Sequence, residues 1–527
     1  MNYADLFRVT LPETMLEIAA LLVLVVDLGP LRKAALNVRL AAAVTLGACG
    51  CVAALMMVEL EGVSWLPFGK TGDFELLGTG GFIGVAQAGI LVLTALTLLL
   101  LFDSVFTKHV GEYVAVVLMA AAGGMLVAAA QDLLVIFIGL ELLSLGLYIL
   151  TAFAKSSGKS AEAAMKYYLF GGMSAAFLLF GFSYFYGLTG TTNIGLIQYR
   201  LTLTGPSPLF YVAWILVIAG LGFKIAVVPF HLWAPDTYEG APAPAAAFIA
   251  SVSKVASFAL LVTLATTWWL RPGGNLATGS STLEQLLRGY YQTWPQLAVV
   301  LLIASAASMV LGNLAALAQT SVRRLLAYSA IAHAGTMLLG LAAHRAFTGA
   351  GSAVDFNVAS FFPQLRSMAA VIFYVLTYGL TTVGAFGVVA VVERATGSDR
   401  MDSFLGLHKR NPVLAGVLLV LFLSLAGIPP LAGFWAKFNL FAAVLGEHGG
   451  PVPFALVCLA VALSAVSLYY YLQVLKRAYV MPAPATEESQ SRIRVHPVTM
   501  AALVAIAAAV VLLGCFPTVL GGWIEGF

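Results

Sequence analysis

Fourteen long apolar runs dominate this sequence, and each has roughly the length that a helix needs to cross a bilayer, about 20 residues. The runs lie at approximately residues 11–30, 38–59, 82–102, 112–130, 133–153, 163–187, 209–229, 242–270, 296–317, 325–343, 368–392, 413–446, 453–475 and 497–520. None sustains the alternation of apolar and polar residues that a membrane-spanning strand requires. The sequence therefore predicts an all-α polytopic membrane protein with about fourteen transmembrane helices.

Charged residues make up only 10% of the chain, whereas a typical soluble domain has about 25%. The basic residues lie in the connections rather than in one patch, so the net charge of +3 does not indicate nucleic-acid binding. The first apolar run has no basic region or small-residue cleavage site before it, which predicts a retained helix rather than a signal peptide. The four cysteines and seven histidines show neither disulfide nor zinc spacing, so no metal site is predicted.

The basic residues also predict an orientation, because cytoplasmic connections carry an excess of Lys and Arg. If the first connection is cytoplasmic, that side collects sixteen basic residues and the opposite side collects seven, with both termini periplasmic. Four lysines belong to neither side because they fall within apolar runs. They are Lys166, Lys224, Lys254 and Lys437. A lysine inside a bilayer costs about 2.5–3.5 kcal/mol on insertion scales, so we interpret these four as functional, most plainly as proton-relay residues.

Two of the runs contain prolines that break a helix. Pro229 follows Lys224 in the seventh run, and Pro429 and Pro430 precede Lys437 in the twelfth. Broken helices in corresponding places of two halves indicate inverted repeats around an ion site. Five runs separate the two breaks, which predicts two five-helix inverted repeats, spans 4–8 and 9–13. The predicted segments are residues 1–111 (three helices), 112–270 and 296–475 (the repeats), and 476–527 (a loop and a last helix).

In the first half, the fifth run contains a single acid, Glu141, and we expect it to pair with Lys166 in the sixth run. Such a pair holds both groups charged and can trap and release a proton. His231 lies seven residues after Lys224, but the intervening proline leaves their alignment open. Lys254, flanked by Ser251 and Ser257, is the best candidate for a central relay site linked by water.

In the second half, His333 lies in the middle of the tenth run and is a candidate for the role that a lysine or an acid plays in the first half. Lys437 is the natural terminal site, where a proton enters from or leaves to the outside. A polar stripe in the eleventh run, Tyr374, Thr377, Tyr378 and Thr381, fits either a water path or ordinary hydrogen bonding between helices.

Several segments resemble the antiporter-like membrane subunits of respiratory complex I. The segments are FKIAVVPFHLWAPDTYEGAPAPAAAFIASVSKVASF, LSLGLYILTAFAKSSGKSAEAAMKYYLFGGMSAAFLLFG, NLAALAQTSVRRLLAYSAIAHAGTMLLG and LSLAGIPPLAGFWAKF. The resemblance extends over spans 4 to 13 and is closest to the subunit N branch. Members of the M branch typically carry a glutamate where this chain has Lys437, and those of the L branch continue into a long lateral helix.

The resemblance implies that Glu141, Lys166, Lys224, Lys254 and Lys437 are the family's buried charged residues. It also implies one proton channel per subunit and a hydrated axis at mid-membrane. NADH, FMN, iron–sulfur clusters and quinone would belong to partner subunits, since this chain carries no motif for them. The implied partners are an M-like antiporter subunit and small membrane subunits, in a bacterial inner membrane. The charged loop at 476–496 has no assigned role.

Three alternatives remain open on the sequence. A cation/proton antiporter subunit would use the same helices and lysines, and a membrane-bound hydrogenase subunit would differ only in its soluble partner. A purely structural membrane scaffold would tolerate replacement of Lys224 or Lys254.

Overall fold

The structure is a computed structural model that describes residues 7, 9–61, 76–78, 81–104, 106–204, 207–269, 294–346, 362–447, 451–482 and 492–525. Those residues form helices and contain no strand, only three isolated bridges between loops. The helices are α1 (Leu11–Leu28), α2 (Leu36–Glu61), α3 (Gly81–Leu99), α4 (Val110–Ala129), α5 (Leu133–Thr151), α6 (Gly158–Thr189), α7 (Ile194–Thr204), α8 (Pro208–Ile225), α9 (Trp233–Gly240), α10 (Ala243–Trp269), α11 (Trp294–Leu317), α12 (Val322–Ala346), α13 (Phe362–Thr396), α14 (Leu407–Arg410), α15 (Pro412–Ala426), α16 (Ala432–Glu447), α17 (Pro451–Tyr479), α18 (Pro497–Cys515) and α19 (Thr518–Glu525). The predicted all-α polytopic class is confirmed.

Twelve of the described helices are long and apolar enough to cross a membrane. The first predicted span corresponds to α1, which also carries Glu13, Glu17 and Asp27. The twelfth corresponds to two shorter apolar helices, α15 and α16. Helices therefore occupy all fourteen predicted runs, while the number that cross the bilayer stays a prediction.

Both predicted breaks are present and have the same geometry. Helix α8 ends at Ile225, and the next residue, Ala226, has a left-handed φ of 59°. Helix α15 ends at Ala426, and there the left-handed residue is Gly427, with a φ of 88°. In both cases two amide groups beyond the helix donate to carbonyls of its last turn, which is a Schellman cap. A proline follows within three residues and prevents the helix from resuming at once.

A second pair of matching contacts precedes the breaks. The Leu133 amide donates to the Thr192 carbonyl at 2.9 Å, which joins the start of α5 to the loop after α6. The Val322 amide donates to the Asp399 carbonyl at 3.0 Å, which joins the start of α12 to the loop after α13. These paired contacts support the predicted five-helix repeats, which stay a prediction.

Three helices, α10, α12 and α13, lie in the centre of the molecule, since about nine-tenths of the residues in each of their spans are buried. Each is apolar around its whole circumference, as expected for a helix packed on all sides. Helix α10 packs against α13, α3 and α4, and α12 packs against α11 and α13. Polar side chains on these three helices are therefore out of reach of the lipid.

Candidate functional site

Lys224 lies in the last turn of α8 and is 6% exposed. Its Nζ donates to the hydroxyl of Ser144 on α5, and that hydroxyl donates to the Leu140 carbonyl. Glu141, one turn before Ser144, is half-buried, and its carboxylate interacts electrostatically with Lys224. The carbonyl end of a helix favours a cation, so the premature end of α8 helps to hold this ammonium group in the protein interior.

Lys254 is at the centre of α10 and is 2% exposed. Its Nζ donates to the Ala330 carbonyl of α12 and lies 5.3 Å from the ring centre of Tyr378 on α13. Ser257, one turn further along α10, has a buried hydroxyl without a hydrogen-bond partner among the described residues. Lys254 therefore contacts only neutral groups, and a buried hydroxyl that can bind water lies next to it.

His333 on α12 is 7% exposed. Its Nδ1 lies 2.8 Å from the hydroxyl of Tyr374 on α13, and its ring packs against that of Tyr378 at 4.9 Å. The charges of both Lys254 and Lys437 act on this imidazole. His333 is thus within electrostatic range of both lysines, which makes it a candidate to exchange a proton with either.

Lys437 on α16 is half-buried, and its Nζ donates to the carbonyls of Leu425 and Ala426 at 3.2 and 3.0 Å. Those residues end α15, so this ammonium group also lies at the carbonyl end of a broken helix. Lys224 and Leu425 are each two residues before the left-handed residue of their break. Each break therefore has a lysine beside the end of its first helix: Lys224 lies in the last turn of α8, and Lys437 reaches the last carbonyls of α15 from beyond the break.

His333 corresponds to Ser144 by the same reasoning. Each lies eleven residues after the amide that makes the matching loop contact, Leu133 in the first half and Val322 in the second. The first half thus has a lysine on a serine hydroxyl, and the second half has a lysine near an imidazole.

The expected pairing of Glu141 with Lys166 is wrong. The Lys166 side chain is 41% exposed, and its Nζ lies 2.7 Å from a carboxylate oxygen of Glu162 and 2.7 Å from one of Asp236. Because two carboxylates already hold this ammonium group at the edge of α6, it does not reach Glu141. In the described part of the chain, Glu141 forms no ion pair.

Asp236 belongs to a network of charges that joins the two halves. On α9, Asp236 and Glu239 both accept from the guanidinium of Arg324 on α12, at 2.7 and 3.0 Å, and Lys159 lies 3.2 Å from Glu239. Burial opposes ionisation of both acids, but hydrogen bonds from the surrounding cations outweigh it, so the pKa of each carboxyl lies below its ordinary value. Both acids are therefore charged at neutral pH, and they tie α9 to α12.

His231 lies between α8 and α9, where it is buried and its Nδ1 has no partner among the described residues. Because α8 ends at Ile225, His231 and Lys224 do not share one helical face. The structure thus brings Glu141 into electrostatic range of Lys224, and His333 into electrostatic range of Lys254 and Lys437. Lys166 and His231 belong to neither group.

Sequence reasoning missed the acceptors of the buried lysines and the partner of Lys166. Three of the acceptors are backbone carbonyls, of Ala330, Leu425 and Ala426, and a carbonyl has no sequence signature. The acids Asp236 and Glu239 were visible in the polar connection, and their spacing of three residues places them on one face of a helix. No group of three potential metal ligands occurs within the described ranges.

Comparison with known proteins shows the family to which the chain belongs. The sequence matches the family described as "NADH:quinone oxidoreductase/Mrp antiporter, TM" over residues 130–271 and 281–464, and the chain belongs to that family. The chain is 44% identical to "NADH-quinone oxidoreductase subunit N 2" of Acidobacterium capsulatum, with 100% of this chain and 99% of the relative covered. It is 40% identical to "NADH-quinone oxidoreductase subunit N 1" of Roseiflexus castenholzii over 87% of this chain and 82% of the relative.

Two solved structures have a similar fold. A chain of respiratory complex I from Thermus thermophilus superimposes with a TM-score of 0.72 at 31% identity, with 97% of this chain and 98% of the other covered. A chain of the Mrp complex from Dietzia superimposes with a TM-score of 0.74 at 19% identity, covering 98% and 97%, and this second likeness concerns the fold alone.

Proposed function

We propose that this chain is the N-type proton-translocating subunit in the membrane arm of an NADH–quinone oxidoreductase. The observation that carries the proposal is two groups of ionisable side chains, Glu141 with Lys224 and His333 with Lys254 and Lys437, which we take as one row. It lies inside a multi-pass membrane protein whose full-length relatives are named as this subunit. Partner subunits carry out the redox chemistry, and the chain contributes the proton path to their enzyme.

The three buried lysines of the row make contacts suited to proton exchange. Lys224 contacts a hydroxyl, Lys254 a carbonyl and an aromatic ring, and Lys437 two carbonyls. A carboxylate in hydrogen-bond contact would stabilise the charged form strongly and make proton loss costly, whereas neutral acceptors stabilise it less. A proton therefore passes along the row by successive charging and discharging of these lysines, with His333 between the last two.

The position in the cell is part of the same proposal. The proposed location is a bacterial inner membrane, and the excess of basic residues in alternate connections supports an orientation with both termini on the periplasmic side. Lys166 remains a relay candidate in this scheme, as the residue that collects protons among the acids at the edge of α6. His231 remains a candidate at the break.

The experiment that tests the function replaces Lys254 in the assembled complex. Lys254→Ala removes the central group of the row, so proton pumping coupled to NADH oxidation is expected to be lost while the subunits still co-purify. Lys254→Met, which keeps the volume of the side chain, separates loss of charge from loss of packing if the Ala variant does not assemble. Lys155→Ala, at an exposed residue, is the control. Pumping at the wild-type rate by either Lys254 variant would contradict the relay.

A further inference from the structure

An apolar groove of about 460 Å³ lies on the outer surface, among α2, the end of α3 and α18. One wall follows α2 from Val44 to Met56, Leu99 and Phe102 form the floor, and Val498 belongs to the opposite wall. The Thr499 hydroxyl donates to the Leu99 carbonyl, which fixes the second wall to the floor. The volume is within the range of about 300–1,000 Å³ that is usual for ligand sites.

The depth of the groove matches one leaflet of a bilayer. Val44 and Met56 are twelve residues apart on a helix, which corresponds to about 18 Å, and half of the hydrocarbon core is about 15 Å thick. One end of the groove lies near a membrane surface, because Leu99 is the last residue of α3 and Val498 is the second residue of α18. A transmembrane helix of another subunit would need the whole thickness, about 30 Å, and a wider opening than this. An acyl chain fits both dimensions.

Exposed basic side chains lie in the connections next to the helices that form or adjoin the groove. His496 stacks on Phe102 at 4.7 Å, so the segment before it, with the exposed Arg492 and Arg494, lies beside the floor. Three other exposed cations lie in the connections next to α2 and α4. They are Arg32, Lys33 and Lys108. Within the described ranges none of these five cations has an ion pair, whereas Arg39 and Arg394 nearby are neutralised by Asp27 and Asp103.

We propose that this groove binds one acyl chain of an anionic phospholipid, whose phosphate lies among the exposed basic residues at its open end. The cations attract the headgroup, and the apolar walls accommodate the chain along one leaflet. The bound lipid would fill the space between α2 and α18 and join the first three helices to the last one. This site is separate from the row of buried lysines.

Photolabelling of the whole membrane complex in nanodiscs tests the site. The probes are phosphatidylglycerol and phosphatidylcholine, each carrying a photoreactive group in one acyl chain, and the adducts are mapped by mass spectrometry of peptides. We expect phosphatidylglycerol adducts to concentrate on residues 44–56 and to exceed those of phosphatidylcholine. Replacement of one cation, Arg494→Gln, should lower that preference about fivefold, because each basic residue near anionic lipid contributes about that factor.

Two matched variants separate groove binding from general lipid contact. Ala48→Trp fills the groove and should remove most of the adducts, whereas Val461→Trp, on the exposed face of α17, should leave them unchanged. Equal capture of the two lipids would overturn the anionic headgroup, and equal labelling of the groove and of α17 would overturn the site. If the groove acquires no lipid adduct in the complex while the rest of α2 does, another subunit covers it, and the proposal is wrong.

Discussion

The four lysines within the apolar runs differ in the groups that contact their ammonium group. Lys166 contacts two carboxylates within 2.7 Å, whereas Lys224, Lys254 and Lys437 contact neutral acceptors only. Two carboxylates hold a proton on an ammonium group, and neutral acceptors allow it to leave. From the sequence alone, the cost of inserting a lysine into the bilayer indicated a function for all four lysines equally. The contacts separate the lysine that joins helices from the three that are placed to exchange protons.

Among the described residues, the hydroxyl of Tyr374 is the hydrogen-bond partner of the His333 ring, 2.8 Å from Nδ1. Tyr374→Phe removes that bond, worth about 0.5–1.5 kcal/mol, and leaves the imidazole free to rotate. We expect pumping to slow about three- to tenfold, which is that energy expressed as a rate, with assembly unchanged. The control is Tyr328→Phe, which changes a half-buried tyrosine on the same helix as His333. An unaltered pumping rate in the Tyr374 variant would remove His333 from the path.

The sequence predicted which residues carry charge inside the membrane, because apolar runs make every lysine conspicuous. It could not predict the direction in which Lys166 points, since Glu141 and Glu162 are both within reach in sequence terms and Asp236 is seventy residues away. Tertiary packing decides between such partners. The carbonyl acceptors of Lys254 and Lys437 were equally beyond prediction, because every residue has a carbonyl.

At the scale of helices, the two breaks differ in the position of their lysine: Lys224 precedes the first break, and Lys437 follows the second. Exchanging the residues in the second half, with Leu425→Lys and Lys437→Leu together, would supply the ammonium group from α15, as Lys224 does from α8. We expect the single variant Lys437→Leu to lose pumping and the double variant to recover a measurable part of it. Pumping by the two variants in the same vesicles is the measurement. A second double variant, Leu425→Lys with Lys437→Ala, is expected to recover pumping to the same extent when both are compared at the same assembly level. The absence of recovery in both double variants would contradict the idea.

The contact of α9 with α12 should depend on pH and salt. Asp236 and Glu239 have pKa values below their ordinary ones, so their contribution to stability is present above the unfolded-state values near 4. It is lost as the pH falls through the lower folded-state values. The thermal midpoint of the complex should therefore fall more steeply below about pH 4 in the wild type than in Asp236→Asn. Because these side chains are about one-third exposed, each pair contributes at most about 1 kcal/mol. Parallel acid profiles of wild type and variant would contradict the ionic role.

At the scale of the whole molecule, five ion pairs of the described residues lie on one side. The pairs Arg39–Asp27, Lys159–Glu239, Arg323–Glu393, Arg394–Asp103 and Arg477–Asp402 all join residues at connections that the sequence assigns to the cytoplasm. Of the seven basic residues expected on the opposite side, only Arg200 has a described side chain. The described part of the chain thus concentrates its ionic contacts at the face with the excess of basic residues.

Labelling of introduced cysteines tests this orientation. In a variant without the four native cysteines, Lys155→Cys should react with an impermeant maleimide only in inside-out vesicles, and Gly187→Cys only in right-side-out ones. Both sites are exposed and lie near opposite ends of α6. The reverse pattern would invert the predicted topology, and labelling of both sites from one side would refute the assignment of α6 as a single crossing.

Most of the architecture could be predicted, because a bilayer admits few solutions and apolar runs reveal them. The short helices α7, α9, α14 and α19 could not, since none is long enough to give a periodic signal. At the two helix breaks, the prolines predicted the position of the break but not its backbone conformation.

The opposite placement of Lys224 and Lys437 around their breaks has a consequence for tracing the history of such chains. If the halves arose by duplication, an internal alignment would set Lys224 against Leu425 and Lys437 against Asp236, and would record two losses of a lysine. In space a lysine still lies beside the end of each interrupted helix, because Lys224 belongs to the last turn of α8 and Lys437 contacts the last carbonyls of α15. In this fold, the position of a charge in space is a better guide to ancestry than the residue that a sequence alignment assigns to it.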